Sequence, residues 1–159
     1  MRKVESQVEG KDEPLLITWS QRDLNMREPH MPALAKVGWH AALFVPTLEG
    51  VNFRFYASYL PFGHARPFHI AENIEIVIFV LEGQVEVGVG PNPDDLRYFQ
   101  LGKYDTLFVP NGMGVDFRNI GEGDTRSLIT ASRIGGEWPK EVIYYLPGED
   151  TPFARKLRF

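Results

Sequence analysis

The chain has 159 residues, a formal net charge of -4 and no cysteine, with 43% hydrophobic and 13% aromatic residues. That length supports one domain with a real core, and that composition excludes a chain too polar to collapse. The missing thiols exclude disulfide and thiolate chemistry, the scattered Lys and Arg form no nucleic-acid or lipid stripe, and the longest apolar run, 76–81, is too short to span a bilayer.

Residues 1–14 are polar and charged, which predicts a loose tail without the apolar stretch of a secretory leader and a cytoplasmic protein. Residues 15–159 are expected to form one domain, since no linker divides them. LLITW (15–19) reads as an apolar strand, and 20–27 is the one stretch with helical character. His30, between prolines, and His40, after Trp39, read as structural or surface residues. Residues 51–59 alternate with period two, Phe53, Phe55 and Tyr59 on one face and Arg54 and Ser58 on the other. Residues 74–81 are apolar on both faces apart from Glu75, as in a strand buried between two sheets. Glu82 and Gly83 interrupt them, and 84–89 alternate again with Val85, Val87 and Val89 inward. GPNPDD (90–95) is dense in turn formers and reads as a loop. Short strands follow at 106–109, 115–117, 127–131 and 142–146. Many short strands with little helix predict an antiparallel sandwich or barrel.

Two segments carry a spacing pattern. In the first, Gly63 is followed by five residues and His69, then Ala71, Glu75 and Gly83. In the second, Asp105, Pro110, Gly112 and Asn119 are spaced around Val115. Together they resemble the paired motifs of the cupin superfamily, with Ala71 and Val115 standing where that family places histidines. The resemblance implies an all-β jelly-roll barrel, the double-stranded β-helix, with its motifs over about 39–132 and flanking strands before and after. Residues 40–60 and 73–87 are more narrowly similar to the N-terminal half of (S)-ureidoglycine aminohydrolase. In that half, too, the Ile-Glu pair, here Ile74 and Glu75, precedes a strand ending in Gly one residue late, and the second-motif His is apolar. The family's Mn site and catalytic residues lie in its C-terminal half, which a chain of this length is too short to hold. No catalytic residue is therefore carried over to a position here.

A cupin metal site commonly joins three His and one Glu around Mn, Fe, Ni or Zn. Such ions need nitrogen and oxygen donors at a fixed radius. Here His69 and Glu75 remain, while Ala71 and Val115 cannot ligate. The expectation is a degenerate, metal-free site that binds a small molecule. The alternative is a hydrolase or isomerase whose divalent transition metal (Mn, Zn, Ni or Fe) is held by His69, Glu75 and His64 and activates a water. Asp116 would serve only if a bulge turned it inward. The expected ligand-binding set is His69, Glu75, Arg54, Tyr59 and Phe117. His69 also reads as a neutral imidazole hydrogen-bonded in the barrel mouth, and His64 as an exposed loop residue. Glu75 faces either the cavity or the outer surface. Buried, it needs a partner such as Arg54 or Arg66, or a raised pKa. An inward Arg would hold a carboxylate or ureido group bidentately, whereas an outward one would only solvate its strand. Phe53, Phe55, Tyr59, Phe68, Phe79, Phe108 and Phe117 are expected to fill or line the barrel. No serine sits in a nucleophile elbow, and no helix follows Gly88-Val89-Gly90 to make a phosphate loop. The flanking strands at 15–19 and 142–146 suggest a homodimer; a structural or regulatory dimer without catalysis is the third reading.

Overall fold

The computed structural model describes residues 43–44, 48–49 and 52–156. Twelve strands follow one another: β1 Leu43–Phe44, β2 Leu48–Glu49, β3 Phe53–Leu60, β4 Ala65–Ile70, β5 Ile74–Glu82, β6 Val85–Asn92, β7 Asp95–Leu101, β8 Thr106–Val109, β9 Gly114–Asn119, β10 Thr125–Arg133, β11 Glu141–Tyr144 and β12 Phe153–Lys156. They form two antiparallel six-stranded sheets. One runs β1-β3-β10-β5-β8, with β2 also paired to β3; the other runs β12-β11-β4-β9-β6-β7. From β3 to β6 and again from β7 to β11 the chain changes sheet at every strand, the wiring of a jelly roll. Among the described residues no helix is long and apolar enough to cross a membrane.

The core is the layer between the sheets. Ile78, Val80, Val109, Ile129 and Leu60 on the first sheet meet Val85, Val87, Leu101 and Val115 on the second. Each of β6 and β10 presents alternate residues to this layer, so the period of two expected from the sequence holds. Gly83 (φ 82°) and Gly112 (φ 85°), both motif glycines, turn the chain in the left-handed region that side chains avoid.

Several expectations need correction. Strand β3 alternates as read, but its polar face is the inner one. Ser58 lies opposite buried Ser127 and Arg54 opposite buried Ala131, which leaves Phe53 and Tyr59 on the outer face. The same parity puts Phe79 and Phe108 outside, with Val77 between them in the ladder. Hydrophobicity alone misleads here because an outer sheet face can itself be covered by another segment. The GPNPDD loop shrinks to a turn between β6 and β7, which extend to Asn92 and from Asp95. Strand β7 itself, and β4 and β12, were not expected: RYFQ and ARPFHI mix charge with aromatics and lack clean alternation. The tail at 1–14, the strand at 15–19 and the helical stretch at 20–27 lie outside the described residues.

Candidate functional site

The feature that builds the site is an irregularity in β4. Arg66 pairs with Phe117 and His69 with Val115, so three steps on β4 span two on β9. One extra residue is accommodated in a bulge at Pro67-Phe68, where proline has no N–H to give the ladder. Residues three apart on a regular strand face opposite ways. The bulge turns both Arg66 and His69 inward, because Phe117 and Val115 pair in register with inward Val87 and Val89.

Arg66 is 4% exposed, and its Nη2 donates to the Tyr144 hydroxyl at 3.3 Å. Beside it, Ser58, Thr125 and Ser127 line a narrow cavity with Leu60, Val85 and Phe117. The space admits about one water. The His69 ring lies between Tyr144, centroids 5.0 Å apart and planes 17° from parallel, and Phe117 at 6.1 Å and 25°. Its Nδ1 is 3.0 Å from the Pro67 carbonyl, which can only accept, so Nδ1 carries the proton and Nε2 is the acceptor. Burial, and then the charge of Arg66, push the imidazole pKa down to about 3 against the pull of that hydrogen bond. His69 is thus neutral throughout the physiological range, an acceptor rather than a general base.

The other expected site residues scatter. Phe117 joins His69. Arg54 stands on an inward register position with its guanidinium 4.3 Å from the centre of the Trp138 ring. Glu75 lies opposite Ser132 on the outer-face register with Val77, away from His69. Tyr59 also faces outward and donates to Asp124 at 2.5 Å, while Asp124 accepts from the Phe62 N–H at 2.9 Å. That hydroxyl bond to a carboxylate is the main reason the Tyr59 pKa is raised and the Asp124 pKa lowered. His64 is bound to the Phe62 carbonyl at 2.9 Å, just before β4. Five strand residues, on the order of 15 Å, separate it from His69, too far to share an ion. Tyr144, Ser58 and Ser127 were not expected in the site; nothing distinguishes Tyr144 from its neighbours in VIYYL.

The donor set does not fit the customary metal ligation. Among the described residues no three His, Cys, Asp or Glu side chains come together. Asp116, the bulge-dependent alternative, sits where the register of β9 with β6 is regular and faces outward, its Oδ1 accepting from the Gly88 N–H at 2.8 Å. Burial is the main cause of its raised pKa. Asp116 lies in an open cleft of about 300 Å³ on the outer side of the second sheet, with Tyr98, Leu96, Tyr145 and the Glu86–Arg118 ion pair at 3.8 Å.

The second-motif asparagine has a structural task. Asn119 is buried, and its Nδ2 donates to the carbonyls of Leu60 (3.1 Å) and Gly123 (2.8 Å) while its Oδ1 accepts from the Gly121 N–H (3.0 Å). It ties the end of β3 to the β9–β10 turn.

The architecture has counterparts among solved structures. The cupin domain of Schizosaccharomyces pombe Cnp3 superposes with a TM-score of 0.50 at 23% identity, over 58% of this chain and 72% of that one. The fold is the cupin fold. Bacillus halodurans BH2720 matches with a TM-score of 0.54 at 15% identity, over 72% of this chain and 88% of its own. Oxalate oxidase in complex with glycolate matches this cupin barrel at 0.50 and 15%, over 59% of this chain and 46% of its own. No protein-family model matches the sequence, and no curated protein sequence matches it.

Proposed function

We propose that this cupin barrel binds a small carboxylated molecule without a metal, the carboxylate directed at Arg66 and Tyr144 and the remainder of the ligand passing His69 towards Arg54 and Trp138. The observation that carries this reading is the β4 bulge, which turns a guanidinium and an imidazole to the same inner face beside the Tyr144 hydroxyl. A guanidinium is matched to carboxylate geometry, and its charge acts strongly away from water. Neutral His69 adds an acceptor for a hydroxyl or ureido N–H. The space beside Arg66 admits only about one water, so it must widen to take the ligand's carboxylate. The glycolate complex of oxalate oxidase supports the ligand class only as a fold analogy. The resemblance to ureidoglycine aminohydrolase adds ureido acids to the candidates.

Thermal shift with glycolate, glyoxylate and ureidoacetate tests it. A ligand at a hundred times its Kd stabilises by about 2.7 kcal/mol. The shift should vanish in Arg66→Gln with the circular dichroism unchanged. No shift with any of the three acids, or an undiminished shift in the variant, refutes the reading.

One observation favours a second reading. A His whose Nδ1–H is held by a backbone carbonyl, as His69 is, has the orientation that metal-bound histidines use. The further ligands would have to come from outside the described residues. Stabilisation by Mn, Zn, Ni or Fe that is lost in His69→Ala would favour a metal-dependent hydrolase or isomerase instead.

A further inference from the structure

Strands β9, β6 and β7 set three residues in one cross-strand row, Asp116 opposite Gly88 and Gly88 opposite Tyr98. The row faces the cleft of about 300 Å³ on the outer side of the second sheet. Its middle member has no side chain, and the two neighbours fill the gap. A Cβ on Gly88 would collide with the Asp116 carboxylate and stand 2.9 Å from the Tyr98 ring, so carboxylate and ring converge over the glycine backbone. A glycine inside a strand weakens it and marks a place where another group comes close to the backbone.

The walls of the cleft are held in place. Past β11 the Tyr145 N–H donates to the Phe68 carbonyl at 2.9 Å, and the two rings meet edge to face with centroids 5.5 Å apart. This contact holds the segment carrying Pro147 as a wall, and Leu96 of β7 adds apolar surface. Asp116 has one hydrogen-bond partner among the described residues, the Gly88 N–H. Two arginines also line the cleft, but Arg66 directs its Nη2 to the Tyr144 hydroxyl on the inner side, and Arg118 pairs with Glu86 at 3.8 Å. The charges turned to the cleft are then Asp116 and exposed Glu149, both negative. A carboxylate beside an aromatic ring, with apolar surface around them, suits an ammonium group on an apolar body. Burial disfavours the charge on Asp116, and a bound cation would offset the lost hydration.

We propose that this cleft binds a small organic amine, its ammonium group between the Asp116 carboxylate and the Tyr98 ring and its apolar body against Leu96 and Pro147. The site is distinct from the inner one. It lies across the second sheet from His69, and it selects the opposite charge.

Titration of the isotope-enriched full chain, followed by proton–nitrogen correlation NMR at neutral pH, tests this. The probes are phenethylamine, its uncharged analogue phenylethanol and its anionic analogue phenylpropionate. The Gly88 N–H, bonded to Asp116, reports on the site directly. Phenethylamine should shift the Gly88 and Tyr98 signals saturably, and phenylethanol should bind there at least about tenfold more weakly. Asp116→Asn keeps an acceptor for the Gly88 N–H while removing the charge, and it should lose at least about tenfold in affinity for the amine. No saturable shift at Gly88 with about 10 mM phenethylamine overturns the proposal. So do equal shifts there from the alcohol or the anion, or an unchanged amine affinity in Asp116→Asn. The three probes on the unaltered protein decide the matter even where the variant fails to fold.

Discussion

The rings of His69 and Tyr144 lie 5.0 Å apart and nearly parallel, on strands that pair residue to residue. With Phe117 on the other side and Arg66 beside it, burial and then the guanidinium charge disfavour a second proton on the imidazole. The unfolded chain would protonate it near pH 6.5, whereas the folded chain does so near 3. Between these values the unfolded state binds more protons, so stability falls as pH falls through that window. The slope from this group reaches about 1.4 kcal/mol per pH unit. Urea titrations at pH 7.5, 6.0 and 5.0 should show the decline, and His69→Phe should flatten it. An unchanged slope in that variant would remove His69 as its source.

Removing the Asn119 side chain leaves the Leu60 and Gly123 carbonyls and the Gly121 N–H without their partner. Asn119→Ala should lose about 1–3 kcal/mol, as expected for buried groups left unsatisfied. The denaturation midpoint reports this directly, and a loss below half a kcal/mol on the order of ordinary surface substitutions would contradict it.

Gly83 and Gly123 flank the same corner and should respond differently. A Cβ on Gly83 would stand 2.6 Å from the Asp124 carbonyl oxygen, at φ 82°. A Cβ on Gly123 meets nothing within 4 Å. Gly83→Ala should therefore cost at least about 1 kcal/mol through strain and overpacking. Gly123→Ala should be neutral or slightly stabilising. Thermal melts of the two proteins side by side decide it.

Tyr59 belongs to the outer surface, not to the ligand site. Tyr59→Phe breaks the bond to Asp124 and should cost no more than about 1 kcal/mol, because both groups are solvated. Any thermal shift produced by a carboxylate ligand should persist in this variant while it disappears in Arg66→Gln. Loss of the ligand response in Tyr59→Phe would place the ligand elsewhere.

Much of the fold is legible in the chain. The alternation of 85–89 marks an inward valine row, and Gly83 and Gly112 sit where corners need positive φ. What alternation cannot say is which face is which. Phe53 and Tyr59 look like core, yet the structure gives the interior side to Arg54 and Ser58, since a sheet can be apolar on its outside as well. Glu75 shows the same limit: its strand is apolar on both faces, so parity had to come from pairing with β10. The site was legible in part, through His69 and Phe117. Arg66 was visible only as a candidate partner because the bulge beside it leaves no mark in hydrophobicity, and Tyr144 arrives from a flanking strand far along the chain.

The surplus residue in β4 also works as a phase setter. Were the extra residue drawn into a regular ladder instead of looped out, Arg66 and His69 would stand three apart on an even strand, and one of them would rotate out to the solvent side while the barrel wall stayed closed. The same residues thus give an interior carrying both groups or one carrying a single group, according to whether the extra residue is looped out or taken into the ladder.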